Sequence, residues 1–194
     1  EVTAAAGAPP GCVAEVPMMS LPGVFGLTPE GEFGPFPYLA APDGPRLPEA
    51  RGRLKIGVVW GDKPKPRSRS IDPAVLAAAL AGLDLAVYSL QADARAREIP
   101  AGSGWIDLAP AIRDFADTAA LVAQMDALVS VDTAALHVAG GLGVPVYVLL
   151  VKGADWRWMR DRAETPWYPS ARLLRQETAG DWTAPLARLR AALS

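Results

Sequence analysis

Four short apolar runs constrain this chain more than any other feature: "LKIGVVW" (54–60), "DLAVYSL" (84–90), "ALVSV" (127–131) and "PVYVLL" (145–150). None alternates apolar with polar residues, as a strand with one wet face would, so each is expected to be buried on both sides. Helix-length segments separate them. "DPAVLAAALAGL" (72–83) opens with Asp72 as cap and Pro73 in the first turn. "DFADTAALVAQM" (114–125), "TAALHVAGGLG" (133–143) and "WTAPLARLRAAL" (182–193) read as further helices, and "WIDL" (105–108) and "ARLLRQ" (171–176) as further strands. Such alternation predicts an α/β fold, a Rossmann-like doubly wound parallel sheet with helices on both faces. No repeat of fixed period appears, which argues against a solenoid.

The composition changes near residue 50. Residues 1–50 carry ten of the 19 prolines, which remove backbone donors and break helices and central strands. Yet Val24, Phe25, Phe33, Phe36 and Tyr38 are too apolar for a disordered tail. Two regions are therefore expected. Residues 1–50 form an irregular Pro/Gly-rich crossover or linker lying over another surface, and residues 51–194 form the Rossmann-like domain. The formal charge of −2 gives no reason to expect nucleic acid as a partner. The apolar run at 144–151 is too short to span a bilayer. One cysteine, Cys12, allows no internal disulfide and suits a reducing compartment. The N-terminus has neither an initiator Met nor the pattern of a signal peptide. A cytoplasmic piece of a longer protein is the expectation.

In a doubly wound sheet, ligands bind outside the carboxyl ends of the strands. After the first strand, "WGDKPKPRSRS" (60–70) carries neither the G-x-G-x-x-G dinucleotide fingerprint nor a phosphate-binding P-loop. It offers Lys63, Lys65, Arg67, Ser68, Arg69 and Ser70, and has two readings: a solvated basic loop, or a loop that meets diphosphate oxygens. Ser89 and Gln91 follow the second strand as ligand hydrogen-bonders or plain turn formers. Asp114 or Asp117 caps the next helix, and Phe115 is placed to flank a nucleobase.

The richest end is "SVDTAALHVAGG" (130–141), where Asp132 and Thr133 open a helix. The unpaired N–H groups of a helix start favour an anion. Thr133 adds a hydroxyl, and His137, the only histidine, lies one turn along the same face. Gly140 and Gly141 continue that stripe, through close packing or ligand approach. The Trp- and Arg-rich stretch 152–169 either packs onto the domain or closes over a ligand.

These residues together suggest a family. The run "LKIGVVW…RSRSI…YSLQ…IDL…DFADTAALVAQMDALVSVDTAALHVAGGLGVPVYVLL…DWRWMRDRAETPWYPSARLLRQ" resembles the C-terminal domain of bacterial GT-B glycosyltransferases. These are heptosyltransferase-like enzymes and related tetratricopeptide-repeat proteins similar to O-GlcNAc transferases. The resemblance covers about residues 50–194 and implies one of two facing Rossmann-like domains. It implies a nucleotide-sugar donor (UDP-, GDP- or ADP-linked) and a missing N-terminal acceptor domain or repeats that supplies the base. No cofactor and no metal are expected, since the sequence has no D-x-D motif and too few His and Cys for a zinc site. Its site residues would be Arg69, Ser89, Gln91, Phe115, Asp132, Thr133, Ala134 and His137, with His137 as the candidate leaving-group stabiliser. The chain departs from heptosyltransferases at Ala134, where they usually carry glycine, and at Ala92–Asp93, which replace Lys-Gly. The competing reading is a non-catalytic nucleotide- or protein-binding module of a tetratricopeptide-repeat protein. An NAD-dependent oxidoreductase is disfavoured by the missing glycine fingerprint.

Overall fold

A computed structural model describes residues 11, 15–28, 30–31, 33–61 and 69–194. Lys63, Lys65, Arg67 and Ser68 of the basic loop, and Cys12, lie outside the described residues. The chain divides into two compact units, Glu1–Gly34 and Pro35–Ser194. In the first, a 3-10 turn at Met18–Ser20 runs into the single-turn helix α1 (Leu21–Val24), with Pro22 in its first turn.

The second unit is one six-stranded, wholly parallel sheet. Its strands are β1 (Leu54–Val59), β2 (Leu85–Ser89), β3 (Ile106–Asp107), β4 (Ala127–Val131), β5 (Val146–Leu150) and β6 (Ala171–Arg175). They lie in the order β3-β2-β1-β4-β5-β6. The chain winds outward from β1 in one direction and, after crossing back, outward from β4 in the other. The order therefore reverses between β1 and β4, the position outside whose strand ends sheets of this kind bind ligands.

The helices are α2 (Pro73–Leu80), α3 (Phe115–Val122), α4 (Ala134–Gly141) and α5 (Thr183–Ala192). Local chemistry sets their starts. The Asp72 carboxylate accepts from the Ala74 N–H at 2.8 Å, and Pro73 brings a preset φ. Asp114 accepts from the N–H groups of Ala116 and Asp117 at 2.8 and 3.0 Å.

Strand period explains the apolar runs. Leu128, Val146, Val148 and Leu150 point into one core with Leu121 and Val122 of α3 and Leu136 and Ala139 of α4. Ile56, Val58, Val129, Val131 and Leu149 point to the other face, where Leu76 and Leu80 of α2 meet Leu186 and Leu189 of α5. Each fully buried side chain of this kind contributes about 1.5–3 kcal/mol, and both faces draw on it. At Gly57 any side chain would collide with Met125 Sδ, 2.5 Å from the Cβ position, so this central strand approaches the end of α3 through a glycine.

Residues 35–50 run without regular structure over α4 and α3. The N–H groups of Tyr38 and Leu39 both donate to the Gly141 carbonyl, at 3.0 and 2.9 Å. Gln124 donates to the Pro45 carbonyl at 2.9 Å and accepts from the Leu47 N–H at 3.2 Å. The Tyr88 hydroxyl donates to the Pro48 carbonyl at 2.6 Å. A segment that prolines bar from ladders thus obtains its hydrogen bonds from side chains and a helix end. Among the described residues, no helix is long and apolar enough to cross a membrane.

Candidate active site at the carboxyl ends of β1 and β4

Asp132 follows β4 at the point where strand order reverses, and it is 3% exposed. A carboxylate so poorly hydrated needs charged or hydrogen-bonding neighbours. Arg69, from the far end of the loop after β1, supplies the main one, with Nη1 2.7 Å from Asp132 Oδ2. Arg157 Nη2 lies 4.0 Å from the same oxygen, and His137 Nε2 lies 3.9 Å from Oδ1. One carboxylate therefore stands among two guanidinium groups and an imidazole from three separate stretches of chain, while Asp155 Oδ1, 3.3 Å from Arg157 Nε, holds that arginine more closely.

His137 sits one turn into α4 and is held on three sides. Its ring stacks on Trp158, with centroids 5.7 Å apart and planes within 10°. Its Nδ1 lies 2.9 Å from the Tyr168 hydroxyl. A lone pair on Nε2 would face the Asp132 carboxylate, whereas an N–H there is attracted to it. That favours the tautomer with the proton on Nε2, with the Tyr168 hydroxyl donating to Nδ1. Burial of the ring lowers the His137 pKa, against the raising effect of Asp132, and Arg157 and Arg69 lower it further. The imidazole is thus kept neutral, with its one N–H on the side of Asp132. Burial pushes the Tyr168 hydroxyl well above its ordinary value, so it stays protonated at neutral pH.

Gly140 and Gly141 serve packing. A Cβ on Gly140 would stand 2.4 Å from the Tyr168 ring, and one on Gly141 would stand 2.7 Å from Leu39 Cδ1. The glycines let Tyr168 and residues 38–39 reach the helix backbone. Of the two sequence readings for this stripe, close approach of protein accounts for the contacts present.

Thr133 occupies the N-cap of α4 but makes no side-chain cap hydrogen bond. Its hydroxyl lies 3.0 Å from Ser130 Oγ, which donates to the Val131 carbonyl at 2.7 Å. The first-turn N–H groups of α4 receive no bond from the Thr133 side chain, and exposed Ala134 carries only a methyl group at that opening. The helix start, Arg69 and Arg157 together bring N–H donors of the kind an anion binds to one end of the sheet.

The other sequence candidates divide. Ser89 is fully buried, and its Oγ accepts from the Gln91 N–H at 3.4 Å. The Gln91 amide is committed to protein on both sides. Its Oε1 accepts from the Gly61 N–H at 2.9 Å, and its Nε2 donates to Asp93 at 2.9 Å. Phe115 is 63% exposed at the start of α3. Sequence reasoning placed Trp158 and Tyr168 only among residues that pack the 152–169 stretch onto the domain, and did not single out Arg157. The usable signal was Asp155 before "WRW": its carboxylate accepts from the Arg157 N–H at 3.1 Å and caps the 3-10 turn Trp156–Trp158. Arg95 was missed as well; it packs on Gly61 and bonds the Ser70 hydroxyl. Among the described residues, no group of three or more His, Cys, Asp or Glu is arranged to hold a metal ion.

The solved structure of E. coli ADP-heptose LPS heptosyltransferase II matches with a TM-score of 0.55 at 21% identity, over 73% of this chain and 46% of that one. The fold is therefore the Rossmann-like sheet of the heptosyltransferase GT-B type. Protein FlbA of Caulobacter vibrioides is 37% identical over 81 residues, which cover 41% of this chain and 13% of FlbA. In both comparisons the chain spans less than half of the relative. The model of glycosyltransferase family 9 (heptosyltransferase) matches residues 76–177, which hold β2 through β6 and His137. That match takes in more than half of the chain, which therefore belongs to glycosyltransferase family 9.

Proposed function

We propose that this chain is the donor-binding half of a nucleotide-sugar-dependent glycosyltransferase. The carrying observation is the Asp132 cluster at the β1/β4 reversal, where one buried carboxylate stands among Arg69, Arg157 and His137 beside the start of α4. In the transfer, an acceptor hydroxyl oxygen bonds to the anomeric carbon as the bond from that carbon to the diphosphate breaks. The departing nucleoside diphosphate carries the growing negative charge. Asp132 and Asp155, the latter 3.3 Å from Arg157 Nε, offset the two guanidinium charges, so the growing charge would meet guanidinium N–H donors and the partial positive charge of the helix start. The Nε2–H of His137 would donate to an oxygen of the leaving group. These groups supply the stabilisation that a divalent cation would otherwise provide, so we infer transfer without metal and without cofactor.

Arg69, Asp132, Thr133, Ala134 and His137 are assigned to the diphosphate and sugar, and Phe115 to the base. Ser89 and Gln91 are assigned to supporting the loop beneath them. The base that takes the acceptor's proton is assigned to an N-terminal acceptor domain, alone or with tetratricopeptide repeats, in a cytoplasmic protein. The chain by itself should bind donor better than it turns it over.

Titration calorimetry with UDP-, GDP- and ADP-sugars tests the reading. Heat with one nucleotide class, lost in His137→Ala and Arg69→Ala, is the expected result, and no heat with any of them removes it. If donor binds but a protein carrying the upstream half transfers and hydrolyses no sugar, the chain is a non-catalytic binding module.

A further inference from the structure

Past the Asp132 cluster, β5 and β6 end around a second concavity of about 790 Å³. That volume lies within the roughly 300–1,000 Å³ of small-molecule sites. Three stretches wall it: residues 151–154 after β5, residues 159–163 of the Trp-rich loop, and the end of β6 with Arg188 of α5. It shares no lining residue with the cluster of Arg69, Asp132, His137 and Arg157.

Its charge is unlike that of the chain. Lys152, Arg160, Arg162, Arg175 and Arg188 line it against only Asp161 and Glu177, in a protein of formal charge −2. The cations differ in their commitments. Arg175 is half-buried and donates to the carbonyls of Trp158 and, at 3.0 Å, Arg162, so it forms a fixed floor. Arg188 pairs with Glu177 at 2.5 Å. Lys152 and Arg160 are exposed and form no ion pair with any described residue. The turn that carries Arg160 holds Met159 at φ 56° and Asp161 at φ 51°. Left-handed backbone at non-glycine residues costs about 1–3 kcal/mol each and recurs at ligand clamps.

We propose that this cleft is an anion site for a small ligand of the diphosphate class, gripped by Lys152, Arg160 and Arg162 above the Arg175 floor. Planar guanidinium groups match phosphate oxygens in pairs, and a mobile ammonium adds a point charge. Arg175 bonds the carbonyl of Trp158, whose ring stacks on His137, so a filled cleft also braces the stacking partner of that histidine.

Inorganic pyrophosphate is the probe. In an Arg69→Ala background, which disables the Asp132 cluster, calorimetry should still detect pyrophosphate at millimolar concentration or below. Adding Lys152→Ala and Arg160→Ala should weaken that binding about tenfold or more. Both residues are exposed, so the fold should survive their loss. No binding in the Arg69→Ala background, or binding indifferent to the two added substitutions, overturns the proposal. In the unmutated chain, pyrophosphate should move the backbone amide signals of residues 152–163. Shifts confined to residues 131–137 overturn the proposal while leaving the donor site intact.

Discussion

The ends of β2 and β4 look alike in sequence and behave differently in the fold. Each places polar side chains at a strand's carboxyl end: buried Ser89 and Gln91 at the end of β2, buried Asp132 and half-buried Thr133 after β4. At β2 the Gln91 amide is consumed by Gly61 and Asp93, which ties two loops together. At β4 the Asp132 carboxylate collects cations, and Thr133 leaves the helix start without a side-chain cap. Burial alone therefore does not mark a binding group. What separates the two ends is the kind of partner: a backbone N–H and Asp93 at β2, guanidinium groups and an imidazole at β4.

The largest expected effect is at β4. Asp132→Ala should cost about 2–3 kcal/mol of stability, below the 3–5 kcal/mol of a fully buried pair because Arg69 keeps access to water. It should also weaken nucleotide-sugar binding by about tenfold or more. Chemical denaturation and calorimetry read the two losses separately.

Gln91→Leu should cost about 1–3 kcal/mol, because the Gly61 N–H loses its buried acceptor. Donor affinity should hardly change. A donor affinity that falls while stability holds would erase the distinction between the two strand ends.

Gly140→Ala comes next. A methyl group 2.4 Å from the Tyr168 ring must displace it, at about 1–3 kcal/mol, and the roughly 1 kcal/mol gain in helix propensity offsets only part. Thermal melting should show the loss.

Tyr168→Phe keeps the ring and removes the bond to His137 Nδ1, at about 0.5–1.5 kcal/mol. Donor affinity should fall severalfold and its pH dependence should shift, which a purely structural role would not produce.

The smallest effect is in pH. The folded-state pKa of His137 lies below 6.5, so the unfolded chain takes up the proton first as pH falls. Stability should therefore decline as pH drops from above 6.5 toward the folded-state value. Asp117 is held at about 2 by its hydrogen bonds with Arg113 and stays ionised throughout that window. Denaturation curves for the native chain and His137→Gln should diverge in slope there, and parallel curves would refute the desolvated ring.

Much of this molecule could be read without coordinates. Every strand and helix expected after residue 50 is present, with ends displaced by one to a few residues. The displaced ends are the frayed ones: α3 stops at Val122, short of Met125, where the chain turns to enter β4. The Thr133–His137 pairing at the start of α4 was also legible, since it needs only helical spacing. Arg157, Trp158 and Tyr168 were not, because they lie 20 or more residues from His137 and meet it only after β5 has crossed the sheet.

What the sequence determined by itself is what depends on near neighbours. Apolar runs without alternation dictate doubly covered strands, Asp-Pro and Asp-Phe dictate helix starts, and prolines keep residues 35–50 out of the sheet. Only the tertiary structure decided which polar groups meet which partners across the sheet. Hydrogen bonds saturate, and whether Gln91 or Asp132 is already satisfied depends on partners that folding brings from 30 and 63 residues away.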